Sequence, residues 1–178
     1  MFKRLISWPY VGPLAIVFAA FLWSIDALLR QSLYSLPSIF IVFSEHALGL
    51  LITLPWLIKF WPKIKSLNRK TWISIFWIAV FGGLLGTLAY TRALSYINYI
   101  HFSVVVLLQK LQPIFAIILA RIILKERFKG RFYLWATVAL IGSYFVAFPN
   151  ILPQWQDGGK NVWAGLLAVG AAFAWGSS

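Results

Sequence analysis

The chain has no cysteine and only four acidic residues, against sixteen lysines and arginines. The first absence excludes disulfides and thiolate metal sites. The second, with only two histidines, leaves few groups for acid–base chemistry or metal ligation. No nucleophile–base constellation, phosphate-cradling glycine loop or metal-ligand spacing is present, so neither an enzyme nor a resident metal or cofactor is expected. Charged residues make up 11% of the chain, where a soluble domain carries about a quarter. Long polar segments are lacking as well, which leaves no room for a soluble domain between the apolar runs.

Apolar residues fill the space, at 61% of the chain, with a mean hydropathy of +0.83. A membrane span needs about 20 mostly apolar residues. Five runs qualify, at 13–33, 39–58, 72–95, 101–124 and 131–148, and a shorter sixth opens at Val162. The first follows Lys3 and Arg4 but continues well past the core of a signal peptide, so it reads as a retained span. The expected fold is an all-α, polytopic membrane helix bundle. Trp8, Trp61, Trp72, Trp155 and Trp163 fall at span ends, as interfacial belts do.

A net charge of +12 would suggest nucleic acid in a soluble protein. Here the cations cluster between apolar runs, and the expected partner is the lipid bilayer instead. Lys3 and Arg4, then Lys59, Lys63, Lys65, Arg69 and Lys70, then Lys125, Arg127, Lys129 and Arg131 occupy alternate connections. Arg30, Arg92 and Lys160 lie on the other side. The excess marks the cytoplasmic face and places the N-terminus inside, in the cytoplasmic (inner) membrane.

Residues 14–26 return as residues 166–178. Aligned on Trp23 and Trp175, Leu14/Leu166, Val17/Val169, Ala19/Ala171, Ala20/Ala172 and Phe21/Phe173 are also identical. The second copy begins at the sixth span, so each unit holds five. An odd number inserts two copies in opposite orientations, as in many secondary transporters. The expected organisation is a first repeat over 13–148, a loop over 149–161 and the start of a second, truncated repeat over 162–178. A C-terminal half of the same chain is then an expected partner.

Charges in the bilayer core are costly and need a reason. By a helical rise of 1.5 Å per residue, Asp26, Glu45 and Lys110 lie about 10, 9 and 13 Å from the outer ends of spans one, two and four. They form one layer, which either lines a polar cavity or ties helices together. Asp26 also has Arg30 four residues on, within reach along one helix face. His46 follows Glu45 but points about 100° away around the helix. Arg121, near an inner end, can snorkel to headgroups. His101, at a span end, reads as interfacial. Span four carries Gln109, Lys110, Gln112 and Pro113. Proline removes the bond to the Gln109 carbonyl, so a hinge at Pro113 beside a polar cavity is expected. Trp23 and Tyr90 either line that cavity or pack helices; Gly82, Gly83 and Gly86 read as packing.

The segments Thr87-Leu-Ala-Tyr-Thr-Arg-Ala-Leu-Ser-Tyr96, Leu107-Leu-Gln-Lys-Leu-Gln-Pro-Ile-Phe-Ala116 and Leu124-Lys-Glu-Arg-Phe128, with Gly142, resemble the EamA domain of the drug/metabolite transporter superfamily. The resemblance implies half of a ten-helix inverted-repeat transporter that moves small metabolites, often exporting amino acids or related compounds. It makes the Gln112–Pro113 region and Glu126 family-like features. Many relatives have an arginine early in span two, where this chain has Glu45 and His46. The expected function is secondary active transport by alternating access, with proton coupling through Asp26 or Glu45 as a further expectation. The rivals are a non-transporting structural subunit and a passive channel or lipid-flipping protein.

Overall fold

The computed structural model describes residues 10–33, 35–96, 102–147 and 159–178. Lys3, Arg4, Trp8, His101, Trp155 and most of the 149–161 connection lie outside the described residues. Those described are helical with short connections and no strand, as expected of an all-α membrane bundle.

Helix α1, Val11–Gln31, belongs to a compact unit of its own, residues 1–36. Its hydroxyls fold back onto the helix: Ser24 Oγ donates to the Phe21 carbonyl and Ser32 Oγ to the Leu29 carbonyl, each at 2.7 Å.

The second unit, residues 37–178, opens with α2, Ser38–Lys65. The sequence placed the end of this span near residue 58. The helix instead runs on past Pro55 and Pro62, and carries Lys59, Lys63 and Lys65 that were expected in a loop. Its 28 residues measure about 42 Å, more than the roughly 30 Å hydrocarbon layer. The last turns therefore reach the headgroup region, where lysines are favourable. Their ammonium groups lie over the rings of Phe60 and Trp61 at 5.5–5.9 Å.

Asn68 then caps α3, Arg69–Trp77, by accepting the Thr71 N–H at 2.8 Å. The helix widens into a π-helical segment, Ile78–Gly86, and returns to α geometry in α4, Thr87–Leu94. The next span breaks in two: α5, Phe102–Gln109, and α6, Gln112–Ile123. After α6, Lys125 takes a left-handed backbone with φ 56°, and the Glu126 N–H bonds back to the Ala120 carbonyl at 3.3 Å. A side chain at such a position costs about 1–2 kcal/mol. Lys125→Gly is therefore expected to stabilise the protein by about 1 kcal/mol, read as a rise in the thermal midpoint in detergent. An unchanged or lower midpoint would show that the lysine compensates elsewhere.

Helix α7, Gly130–Ala147, follows, and then α8, Gly159–Gly176, which starts three residues earlier than the expected second repeat. Four described helical stretches are long and apolar enough to cross a membrane: Val11–Arg30, Ser38–Lys65, Arg69–Leu94 and Phe102–Ile123. The expected fifth span, α7, is not among them. At 18 residues it includes Arg131, Tyr133, Thr137, Ser143 and Tyr144, which dilute its apolar content.

The core of this unit gathers around α8, which packs against α4, α5, α6 and the π-helical segment. Ala164, Ala168, Ala171 and Ala172 are fully buried there, with Leu94 and Val105 from the facing helices. Lipid tails are as apolar as leucine, so close contact rather than water exclusion holds such helices together. Alanines on one face provide that contact. Leu, Ile, Phe and Trp side chains on the remaining faces stay exposed, as a lipid-facing surface requires.

Candidate functional site

A cavity of about 660 Å³ lies within the second unit, between the start of α2, the π-helical segment with α4, and α8. That volume falls within the ordinary range for small-molecule sites, about 300–1,000 Å³. Phe81, Leu85, Phe173 and Ala174 line one end, and Pro37, Ser38, Ile39 and Arg92 line the other. Successive antiparallel helices explain the division, because the first residues of α2 and the last turn of α4 lie at the same end of the bundle. Arg92 and Phe81 are separated by about 16 Å along their helix.

The wall beside the cavity is held by two indole hydrogen bonds. Trp175 Nε1 donates to the Gly82 carbonyl at 2.8 Å, and Trp77 Nε1 donates to the Ser177 carbonyl at 3.0 Å. The Trp175 ring also packs on the buried Tyr90, with centroids 5.3 Å apart. A side chain at Gly86 would intrude on this arrangement, since a Cβ there would sit 2.7 Å from Trp175 Nε1. Close approach of α8 therefore depends on glycine at that turn. Wide π turns are frequent at functional sites, and here the wide turn exposes a carbonyl that the neighbouring helix satisfies.

The break between α5 and α6 is the second local irregularity. Pro113 has no N–H to offer the Gln109 carbonyl, and it sits in the first turn of α6, where none is needed. Lys110 and Leu111 close the break with short-range backbone bonds to Leu107 and Leu108. Gln109, itself buried, donates through Nε2 to Gln112 Oε1 at 3.3 Å, so the two amides bridge it. The proline thus starts a new helix rather than bending a continuous one.

The remaining residues singled out in the sequence fall in both units. Within α1, Arg30 Nε donates to Asp26 Oδ2 at 2.7 Å, the local pair that their spacing allowed. Trp23 lies one turn before Asp26 on the same helix. In the second unit Glu45 and Lys110 are both exposed, and no ion pair joins them. His46 Nδ1 lies 2.8 Å from the Val42 carbonyl, so that nitrogen carries the proton. Its Nε2 edge faces the π-helical segment, 3.5 Å from where a Cβ on Gly83 would be. Tyr90 serves packing against Trp175. Arg121 Nη1 reaches the Tyr133 hydroxyl on α7 at 3.1 Å instead of standing alone at the interface. Among the described residues no cluster of three or more His, Cys, Asp or Glu forms a metal site.

Sequence reasoning missed the cavity's own lining. Ser38 was not singled out, and Arg92 entered only as a counted charge and as part of the Thr87–Tyr96 segment. The available signal was Arg92 itself, an ionised side chain within the apolar Arg69–Leu94 span.

Comparison with known proteins agrees with this architecture. The chain is 41% identical over 169 residues to a protein of Fusobacterium nucleatum subsp. nucleatum named riboflavin transporter ImpX. The match covers 94% of this chain and 56% of that relative, so the chain spans little more than half of the relative's length. No solved structure matches. The model of the EamA-like transporter family matches residues 10–148, and the chain belongs to that family.

Proposed function

We propose that the protein is a secondary transporter of the cytoplasmic membrane that moves a small metabolite by alternating access, with a flavin as its solute. Family membership supports transport. The relative's name favours a flavin over the amino acids that the resemblance implied. The observation that carries the reading is the cavity of about 660 Å³, whose apolar end presents Phe81 and Phe173. A planar heteroaromatic ring is better matched to such a surface than a zwitterion, which would leave its charges unpaired.

The N-terminus is proposed to lie in the cytoplasm, and α8 to be the first helix of a second repeat of opposite orientation. The π-helical segment and the α5–α6 break are the positions where helices can change register without breaking a continuous α-helical ladder. A carrier of this kind runs in the direction its gradients set, export included. Asp26 and Glu45 are the proposed groups for proton coupling.

The test is riboflavin flux by the full-length protein in liposomes, followed by flavin fluorescence with and without a proton gradient. Saturable flux with counterflow is expected. Absence of flavin flux would remove the solute assignment, and flux without saturation or counterflow would make the protein a channel. Flux indifferent to the gradient would remove the coupling alone.

A further inference from the structure

Two polar side chains at one end of the cavity make no hydrogen bond or ion pair among the described residues. Ser38 is buried, at 7% exposure, yet its hydroxyl forms no hydrogen bond with the described residues. A buried hydroxyl without a partner is costly, and such groups call for an explanation. Arg92 lines the same end, and its guanidinium has no ion pair or hydrogen bond among the described residues. It lies over the face of the Tyr96 ring, 5.2 Å from the centroid. That contact orients the planar fork while leaving its N–H groups free.

The two groups complement each other chemically. A guanidinium only donates, and a hydroxyl donates or accepts. Together they present several donors to one small volume. About 16 Å along the helix, the cavity is lined by phenyl and aliphatic groups. The site is therefore amphipathic along its length, with an acceptor-seeking end and an aromatic end.

We infer that Arg92 and Ser38 form the polar subsite of the cavity and bind the oxygen-rich tail of a solute whose ring lies against Phe81 and Phe173. This rests on the flavin reading above and specifies its orientation: the polyhydroxyl chain of riboflavin meets Arg92, and the ring system occupies the apolar end. Arg92 is thus a specificity-determining residue. The bland competitor is a guanidinium that reaches lipid phosphates at the end of its helix and has no part in solute binding.

Comparing two flavins separates these readings. Riboflavin carries the hydroxylated chain, and lumichrome retains a flavin-type ring without it. Binding of each to the full-length protein in detergent is measured by quenching of flavin fluorescence. Arg92→Gln is expected to weaken riboflavin by tenfold or more, the scale of lost hydrogen bonds to a charged group. Lumichrome should change by less than about twofold, since it never reached the subsite. Arg92→Lys should restore part of the difference, and Ser38→Ala should show the same selectivity to a smaller degree. Equal weakening of both ligands, or no weakening of either, would overturn the subsite and assign Arg92 to the lipid interface. If neither flavin binds the unaltered protein, the flavin reading itself fails, and the subsite falls with it.

Discussion

Replacing Trp175 with alanine is expected to lower stability by about 3 kcal/mol, the lower end of the range for truncating a large core aromatic. The position is half-buried, which argues for the lower end. Two losses combine. The Tyr90 ring loses the tilted aromatic contact whose centroid lies 5.3 Å away. The indole N–H leaves the Gly82 carbonyl, which lies within the wide turn of the π-helical segment. Trp175→Phe separates the two, because it retains a ring and removes the donor. Its expected cost is about 1 kcal/mol, the net worth of an ordinary hydrogen bond. Interhelical hydrogen bonds inside membranes are seldom worth more. The readout is the thermal midpoint in detergent, with riboflavin flux measured in parallel. If phenylalanine costs as much as alanine, the hydrogen bond rather than the packing anchors α8. If both are neutral, the contact between α8 and the π-helical segment does not support the bundle.

The second large effect is expected at Gly176. A Cβ there would lie 2.8 Å from the Gln112 carbonyl oxygen and from Phe115 Cβ, and 3.1 Å from the Ala116 N. Two of these three atoms are backbone, in the first turns of α6, and they cannot rotate away. Gly176→Ala should therefore force α6 and α8 apart, at about 1–3 kcal/mol, the usual cost of overpacking. Gly82→Ala provides the contrast. Its Cβ would meet Ser178 alone: Oγ, which can rotate away, and Cβ at 2.8 Å, which is relieved only by a small shift of that residue beyond the end of α8. The substitution at Gly82 should consequently cost less, although its nearest contact, at 2.5 Å, is the shorter one. Thermal midpoints of the two variants decide the matter. A larger loss at Gly82 would mean that the π-helical segment, and not the α6–α8 contact, is the tighter junction.

These two sites also show how far the residues alone led. The Trp23/Trp175 repeat identified α8 as a helix of special sequence, but only packing revealed that Trp175 holds the carbonyl of a wide turn. The three glycines of that turn suggested close helix contact. Nothing in their spacing distinguishes a π-helical turn from an α-helical one, because the difference lies in which carbonyl each N–H finds. Pro113 was legible as a disruption, since a missing N–H follows from composition. Whether it bends one helix or begins another depended on the bonds that Lys110 and Leu111 form. The length of α2 was underestimated at Lys59, because a lysine is costly within hydrocarbon and favourable a turn beyond it.

The sequence by itself determined the class of this protein. Scarce charge and long apolar runs demand membrane helices, and lipid leaves the backbone no alternative but to satisfy itself within each span. The tertiary structure decided where a cavity forms. Residues 37–39, 81–92 and 167–174 are distant in the chain, and only antiparallel packing brings Ser38, Arg92, Phe81 and Phe173 around one cavity. Hydropathy is a local sum along the chain, whereas a binding site is a juxtaposition of side chains from separate helices.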